Sequence, residues 1–245
     1  MARKRRLRKS KMQKKSILVP DQKILARGDS DRYMPFFDYG AANKIDKDTV
    51  FCFGDSHIST LVEDFEGLLH ETEAIKGFLF ERPVVIQRCR SWLAYNLLSK
   101  EPNFSSIDFA EKTIVLGFGE VDCRVYAVKQ KNVDEITENY IKFARNLKER
   151  GSSKIVFLAP HCAPLLESQT TAEMPVVGSL EERKEITRVF AKNLIKSEFD
   201  VMSLVPYLCD RDGKIKKELF LDDVHLDKKK VRPFLKKEFR RVGLS

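Results

Sequence analysis

The chain has no apolar stretch approaching the roughly 18 residues that a membrane-spanning helix needs, which argues against a helical membrane protein. It has no Cys-x-x-Cys pair. Its five cysteines, Cys52, Cys89, Cys123, Cys162 and Cys209, are odd in number and widely spaced. That pattern suits neither a disulfide framework nor a zinc cluster, and it fits reduced thiols in a cytoplasmic protein. No apolar segment follows the basic N-terminus, so a secretory signal is not expected. No internal repeat is visible. Histidine is scarce, with four in 245 residues, so the candidates for a general base form a short list. No cluster of ligand residues implies a metal or an organic cofactor, and none is expected.

What is present is a soluble, globular composition, 42% apolar and 33% charged, in a length that suits one core. The formal charge of +9 is unevenly spread. Residues 1–15 hold nine Lys or Arg and no acid, and removing those nine from 45 leaves 36 basic residues against 36 acidic ones. The body is therefore neutral, and the excess belongs to a basic, disordered tail over 1–15. Such an arm suits an anionic membrane surface, a nucleic acid or an acidic partner. The expected location is the cytoplasm, peripheral to a membrane where the arm engages lipid.

Residues 16–48 read as a lead-in of loops, and 49–245 as the folded domain. Apolar runs at Val50–Phe53, Pro83–Ile86, Thr113–Gly119, Lys154–Pro160 and Phe199–Leu204 predict about five strands. Helical patterns alternate with them. Leu61, Val62, Phe65, Leu68 and Leu69 share one face of a helix after the first strand. Residues 92–98 form a short helix, and Ile136, Tyr140, Phe143, Ala144 and Leu147 mark a long one stopped by Gly151. Ser179 caps another, and a basic helix runs from about Asp227 to Arg241. The central strands lack polar alternation, which predicts a parallel sheet covered on both faces.

The first strand stops at Gly54-Asp55-Ser56, which puts Ser56 on a strand-to-helix turn at the carboxyl edge of the sheet, where open α/β sheets place their chemistry. A second Gly-Asp-Ser at 28–30 lacks a preceding apolar run, so Ser30 is set aside. A serine hydroxyl needs a base to take its proton. His57 adjoins Ser56, and neighbours on a tight turn point different ways. His70 ends a helix, and His161 follows a strand and lines the mouth of the site. His225 lies in Leu221-Asp222-Asp223-Val224-His225-Leu226. A carboxylate three residues before a histidine in such a turn can accept Nδ1–H and leave Nε2 to face the serine.

Together, Gly-Asp-Ser after the first strand, Gly119-Glu120-Val121-Asp122 after a middle strand and Asp-x-x-His near the C-terminus resemble the SGNH/GDSL hydrolase superfamily over roughly residues 48–240. The resemblance implies a three-layer α/β/α domain of the flavodoxin-like kind and an acyl-ester hydrolase. It matches Ser56 to the nucleophile, His225 to the base and Asp222 to the orienting acid, and it makes Asp122 a loop-holding residue. The substrate it implies is a small acyl ester, acetyl on a carbohydrate in the leading reading. The run 119–124 resembles a bacterial subgroup associated with surface-polysaccharide gene neighbourhoods. Two alternatives stay open: an acyltransferase on the same fold, and a binding module that has lost catalysis. Two departures bear on the oxyanion. Val121 stands where the family has an asparagine, and Cys89-Arg90-Ser91 stands where it has a glycine. One missing donor costs on the order of 10²–10³ in rate. Gly119, Arg124, Arg90, Ser91 and Asp55 are the candidate oxyanion or substrate residues, with Arg124 or Arg90 as a charged replacement for the amide.

Overall fold

The computed structural model of the chain describes residues 48–61, 74–89, 92–104, 108–130, 132–162 and 177–244. The basic tail, nearly all of the lead-in, Ser30, His70, Arg90 and Ser91 lie outside the described residues, as does most of the loop after His161. Among the described residues no helix is long and apolar enough to cross a membrane.

Six strands form one sheet: β1 (Val50–Gly54), β2 (Ala74–Leu79), β3 (Arg82–Arg88), β4 (Thr113–Gly117), β5 (Lys154–Leu158) and β6 (Asp200–Met202). Their order is β2-β3-β1-β4-β5-β6. All neighbours are parallel except β2 and β3. Without β2 this is the flavodoxin-like order. The chain moves from β1 outward to β3 and returns to the other side of β1 as β4, so a crevice opens at the carboxyl ends of β1 and β4.

Among the described residues the α-helices are α1 (Leu97–Lys100), α2 (Ala127–Gln130), α3 (Val133–Glu149), α4 (Leu180–Ile195), α5 (Val205–Leu208) and α6 (Lys228–Arg241). Alternate side chains of each strand feed opposite faces of the sheet. Phe51, Phe53, Ile114, Leu116 and Phe157 pack with Tyr140, Phe143, Leu147, Phe190 and Leu194 of α3 and α4. Val50, Cys52, Val115, Val156 and Leu158 pack with Val231, Leu235 and Phe239 of α6. The two cores make the three layers.

Local chemistry sets the helix starts. Ser179 and Glu182 form a reciprocal capping box at α4. Asp227 caps α6 by accepting from the N–H groups of Lys229 and Lys230. Asn132 precedes α3 without a side-chain cap. The Phe118 N–H donates to the Tyr140 hydroxyl at 3.1 Å, which ties α3 to the end of β4.

The sheet has one strand more than the sequence predicts. β2 pairs with β3 through a two-residue turn at Phe80-Glu81, both at positive φ (50° and 72°). Hairpins of this kind normally use Asn-Gly or Asp-Gly. Phe80 is held by the Phe239 ring at 5.5 Å, with Arg232 and Lys236 over its face. Tertiary packing by α6 therefore supplies what local turn chemistry does not. After β1 the chain forms a single 3-10 helix, Ser56–Leu61. The rest of the helix predicted to follow it falls in residues 62–73, outside the described residues.

Candidate active site

β1 and β4 meet closely where the site begins. Gly54 is in register with Gly117. A Cβ on Gly54 would lie 2.8 Å from Ile58 Cβ and 2.9 Å from the Gly117 carbonyl carbon, closer than real side chains come. The hydrogen bonding of β1 continues beyond its end: Asp55 N–H donates to Gly117 O at 3.1 Å, and Cys89 N–H donates to Gly54 O at 2.7 Å. The turn carrying Ser56 is thus clamped from both neighbouring strands. The Asp55 carboxylate accepts from the His57 N–H at 2.9 Å, and Ser59 donates to Ser56 O at 2.7 Å.

The loop before α6 reaches this turn. His225 Nε2 lies 3.1 Å from Ser56 Oγ. His225 Nδ1 lies 2.8 Å from Asp222 Oδ2. The other carboxylate oxygen, Oδ1, accepts from the N–H groups of Val224 at 2.7 Å and His225 at 2.6 Å. Burial pushes the Asp222 carboxyl up. The bonds from the His225 N–H and ring and from the Val224 N–H outweigh it, and the net shift is down. Burial lowers the pKa of His225, the nearby His57 lowers it further, and Asp222 opposes both. A neutral imidazole with Nδ1–H on a carboxylate and Nε2 on a hydroxyl is an arrangement that can make a serine nucleophilic.

The second wall comes from the chain after β4. Gly119 has φ +117°, and a Cβ there would lie 2.8 Å from Phe190 Cζ. The backbone is helical from 120 to 130, with a π-helical turn at Asp122–Tyr126. Such turns recur at functional sites. Asp122 is fully buried and accepts from the N–H groups of Ala94 at 2.9 Å and Tyr95 at 3.0 Å, so it joins this helix to the segment before α1. Val121 packs with Leu93 and Val125, so no side-chain amide stands at its position.

Glu120 is buried between two partners. Arg124 contacts both of its oxygens, Nε to Oε1 at 3.1 Å and Nη2 to Oε2 at 3.2 Å. The guanidinium considered for the oxyanion is thus turned onto Glu120. On the other side His57 Nε2 lies 3.4 Å from Glu120 Oε2, without the alignment of a hydrogen bond. Burial alone would raise the Glu120 carboxyl, yet His57, Arg124 and His161 bring it down to about 2. His161, expected at the mouth, is buried. Its ring meets His57 edge-on at 4.7 Å and Phe220 at 5.9 Å.

The structure therefore brings together Ser56, His225, Asp222, Asp55, Glu120, Arg124 and the Gly119 turn. Sequence reasoning did not place His57 against His225: its ring lies 5.1 Å from that of His225 with the planes 25° apart. The signal available was a histidine directly after the serine together with an acid and an arginine at i,i+4. Among the described residues no group of three or more His, Cys, Asp or Glu is arranged to hold a metal ion.

No family model and no curated protein matches the chain. Solved structures do. A Streptococcus pneumonia protein described as a platelet activating factor matches with 16% identity and a TM-score of 0.53, over 83% of this chain and 86% of that one. The lipase/acylhydrolase from Enterococcus faecalis matches with 15% identity and a TM-score of 0.50, over 80% of this chain and 98% of that one. At these identities the likeness is one of fold.

Proposed function

We propose that the protein is a serine hydrolase of the SGNH/GDSL type that cleaves acyl esters. The observation that carries this reading is the continuous chain of contacts from Asp222 to His225 to Ser56 at the crevice between β1 and β4. A fold shared with a lipase/acylhydrolase is in keeping with it.

In this reading the Ser56 hydroxyl attacks the ester carbonyl carbon while His225 Nε2 takes its proton. Asp222 holds the imidazole in the tautomer that leaves Nε2 open and stabilises the imidazolium. The N–H groups of Ser56 and of the Gly119 turn receive the oxyanion. His225 then gives its proton to the departing alkoxide. Water, activated by the same nitrogen, releases the acyl group from Ser56 and regenerates the hydroxyl.

The finer proposal is a short acyl ester, acetyl in the first instance, on a carbohydrate. Val121 favours a second reading, a binding module with weakened catalysis, because its apolar side chain provides no donor to an oxyanion. Hydrolysis of p-nitrophenyl acetate by wild type and by Ser56→Ala separates the two. Turnover that disappears in the variant supports the hydrolase. Equal background rates for both, in folded protein, support the binding module.

A further inference from the structure

Behind the Ser56–His225–Asp222 chain lies a second group of titratable side chains that the proposed chemistry does not use. Asp55, His57, Glu120 and His161 are all buried, and Arg124 is 11% exposed at its side chain. Charges are tolerated away from water only in compensated sets. Glu120 and Asp55 both lie beside His57, and the Arg124 guanidinium is turned onto Glu120. Burial pushes the Asp55 carboxyl up, while the charge of His57 pulls it down, so a proton on His57 offsets carboxylate charge in this set. Burial opposes that proton, while contact with Glu120 and the charge of Asp55 favour it more strongly, and the net shift is upward. His161 behaves in the opposite way. Its pKa is pushed down to about 3 by burial first and by the charge of His57 second, so it remains neutral.

The geometry points to His57, held by Glu120, as a positioning residue for His225: its ring is the surface on which the His225 imidazole stacks, and its positive charge holds that imidazole in the neutral form able to take the proton of Ser56. This rests on the reading of Ser56 and His225 as nucleophile and base. Among the described residues, titratable and charged groups reach His57 from four directions. Asp55 faces it from the end of β1, Glu120 and Arg124 from the helix after β4, His161 from the end of β5, and His225 from the loop before α6. The carboxylates favour its charge, and Arg124 opposes it.

The consequence for the reaction has a definite sign. A cation beside His225 disfavours the imidazolium formed when Ser56 is deprotonated, and Asp222, at 2.8 Å on the far side, offsets this. The same cation makes the imidazolium a stronger acid toward the leaving alkoxide. Removing the charge of His57 must raise the proton affinity of His225.

The test follows the His225 Cε1–H resonance by NMR from pH 4 to 9 in wild type and His57→Leu, with the pH profile of fluorophosphonate labelling at Ser56 recorded alongside. We expect the His225 midpoint to rise in the variant by on the order of one pH unit, and the acid limb of labelling to rise with it. An unchanged midpoint in a folded variant overturns the inference. A fall in labelling rate with no shift in its acid limb also overturns it, since a purely structural role gives that result. If His57→Leu does not fold, His57→Gln is read in the same way. The NMR titration needs no turnover, so a shifted midpoint in a protein that hydrolyses nothing removes the hydrolase reading and leaves only the coupling of His57 to His225 standing, whereas an unshifted midpoint in an active esterase removes the coupling and leaves the hydrolase.

Discussion

His225 Nε2 and Ser56 Oγ lie 3.1 Å apart although 169 residues of chain separate them. The contact exists because β1 delivers the serine and the turn before α6 delivers the histidine to the same edge of the sheet. If the two act as one unit, their loss is not additive. Ser56→Ala and His225→Ala are each expected to lower kcat on an activated ester by on the order of 10⁴–10⁶, and the double variant to be no worse than either single one. Steady-state kinetics on the three proteins checks this, and a double variant that multiplies the two losses would show that the residues act independently.

The pH dependence has a predictable direction. The pKa of His225 lies below the ordinary histidine value because burial and then the charge of His57 outweigh Asp222. In the proposed mechanism activity requires the neutral imidazole. The acid limb of kcat/KM is therefore expected below pH 6.5, with full activity kept into mildly acidic solution. Asp222 is shifted down as well, so it stays ionised through this range. A limb at or above pH 7 on a small ester would contradict the arrangement.

Asp122 gives a prediction about stability. It is the acceptor for two backbone N–H groups, and Asp122→Ala leaves both without a partner. The expected loss is about 2–4 kcal/mol at pH 5 in urea unfolding. Asp122→Asn keeps an acceptor and is expected to lose less. Burial raises the Asp122 pKa to about 7 against the pull of the Tyr95 and Ala94 N–H groups. Its folded state thus binds a proton more tightly than its unfolded state, and the wild type loses stability as pH rises from about 4 toward 7. Neither variant carries that titration, so the deficit of each relative to wild type should shrink between pH 5 and pH 8. A deficit that grows instead would mean that the ionised form of Asp122 is the favoured one.

Much of the fold is legible because its signals are local. β1, β4 and β5 are apolar on both faces and end at or near a Gly or Pro, and the Ser179 box and the Asp227 cap mark α4 and α6. β2 is not legible, because its turn is made by Phe80 and Glu81 at positive φ and is held by α6 from across the molecule. The π-helical turn after Gly119 has no local signal either. Within the site, the strand-to-helix turn marks Ser56 and the short loop before α6 marks His225, while the choice of Asp222 as its partner comes from the resemblance to the SGNH/GDSL blocks. The contact of His57 with His225 cannot be read in this way, because the divergence of neighbouring side chains on a tight turn does not determine which distant ring packs beneath. Arg124 shows the same limit: its position after β4 is readable, but its commitment to Glu120 depends on how a buried carboxylate is compensated.

Everything proposed for this site depends on Ser56 being an activated nucleophile. Treating the full chain at neutral pH with a fluorophosphonate probe and mapping the adduct by peptide mass spectrometry tests it most directly. Stoichiometric modification at Ser56, abolished in His225→Ala while the protein stays folded, is the expected result. No adduct at Ser56 in folded wild type, or an adduct that forms equally fast without His225, would contradict it.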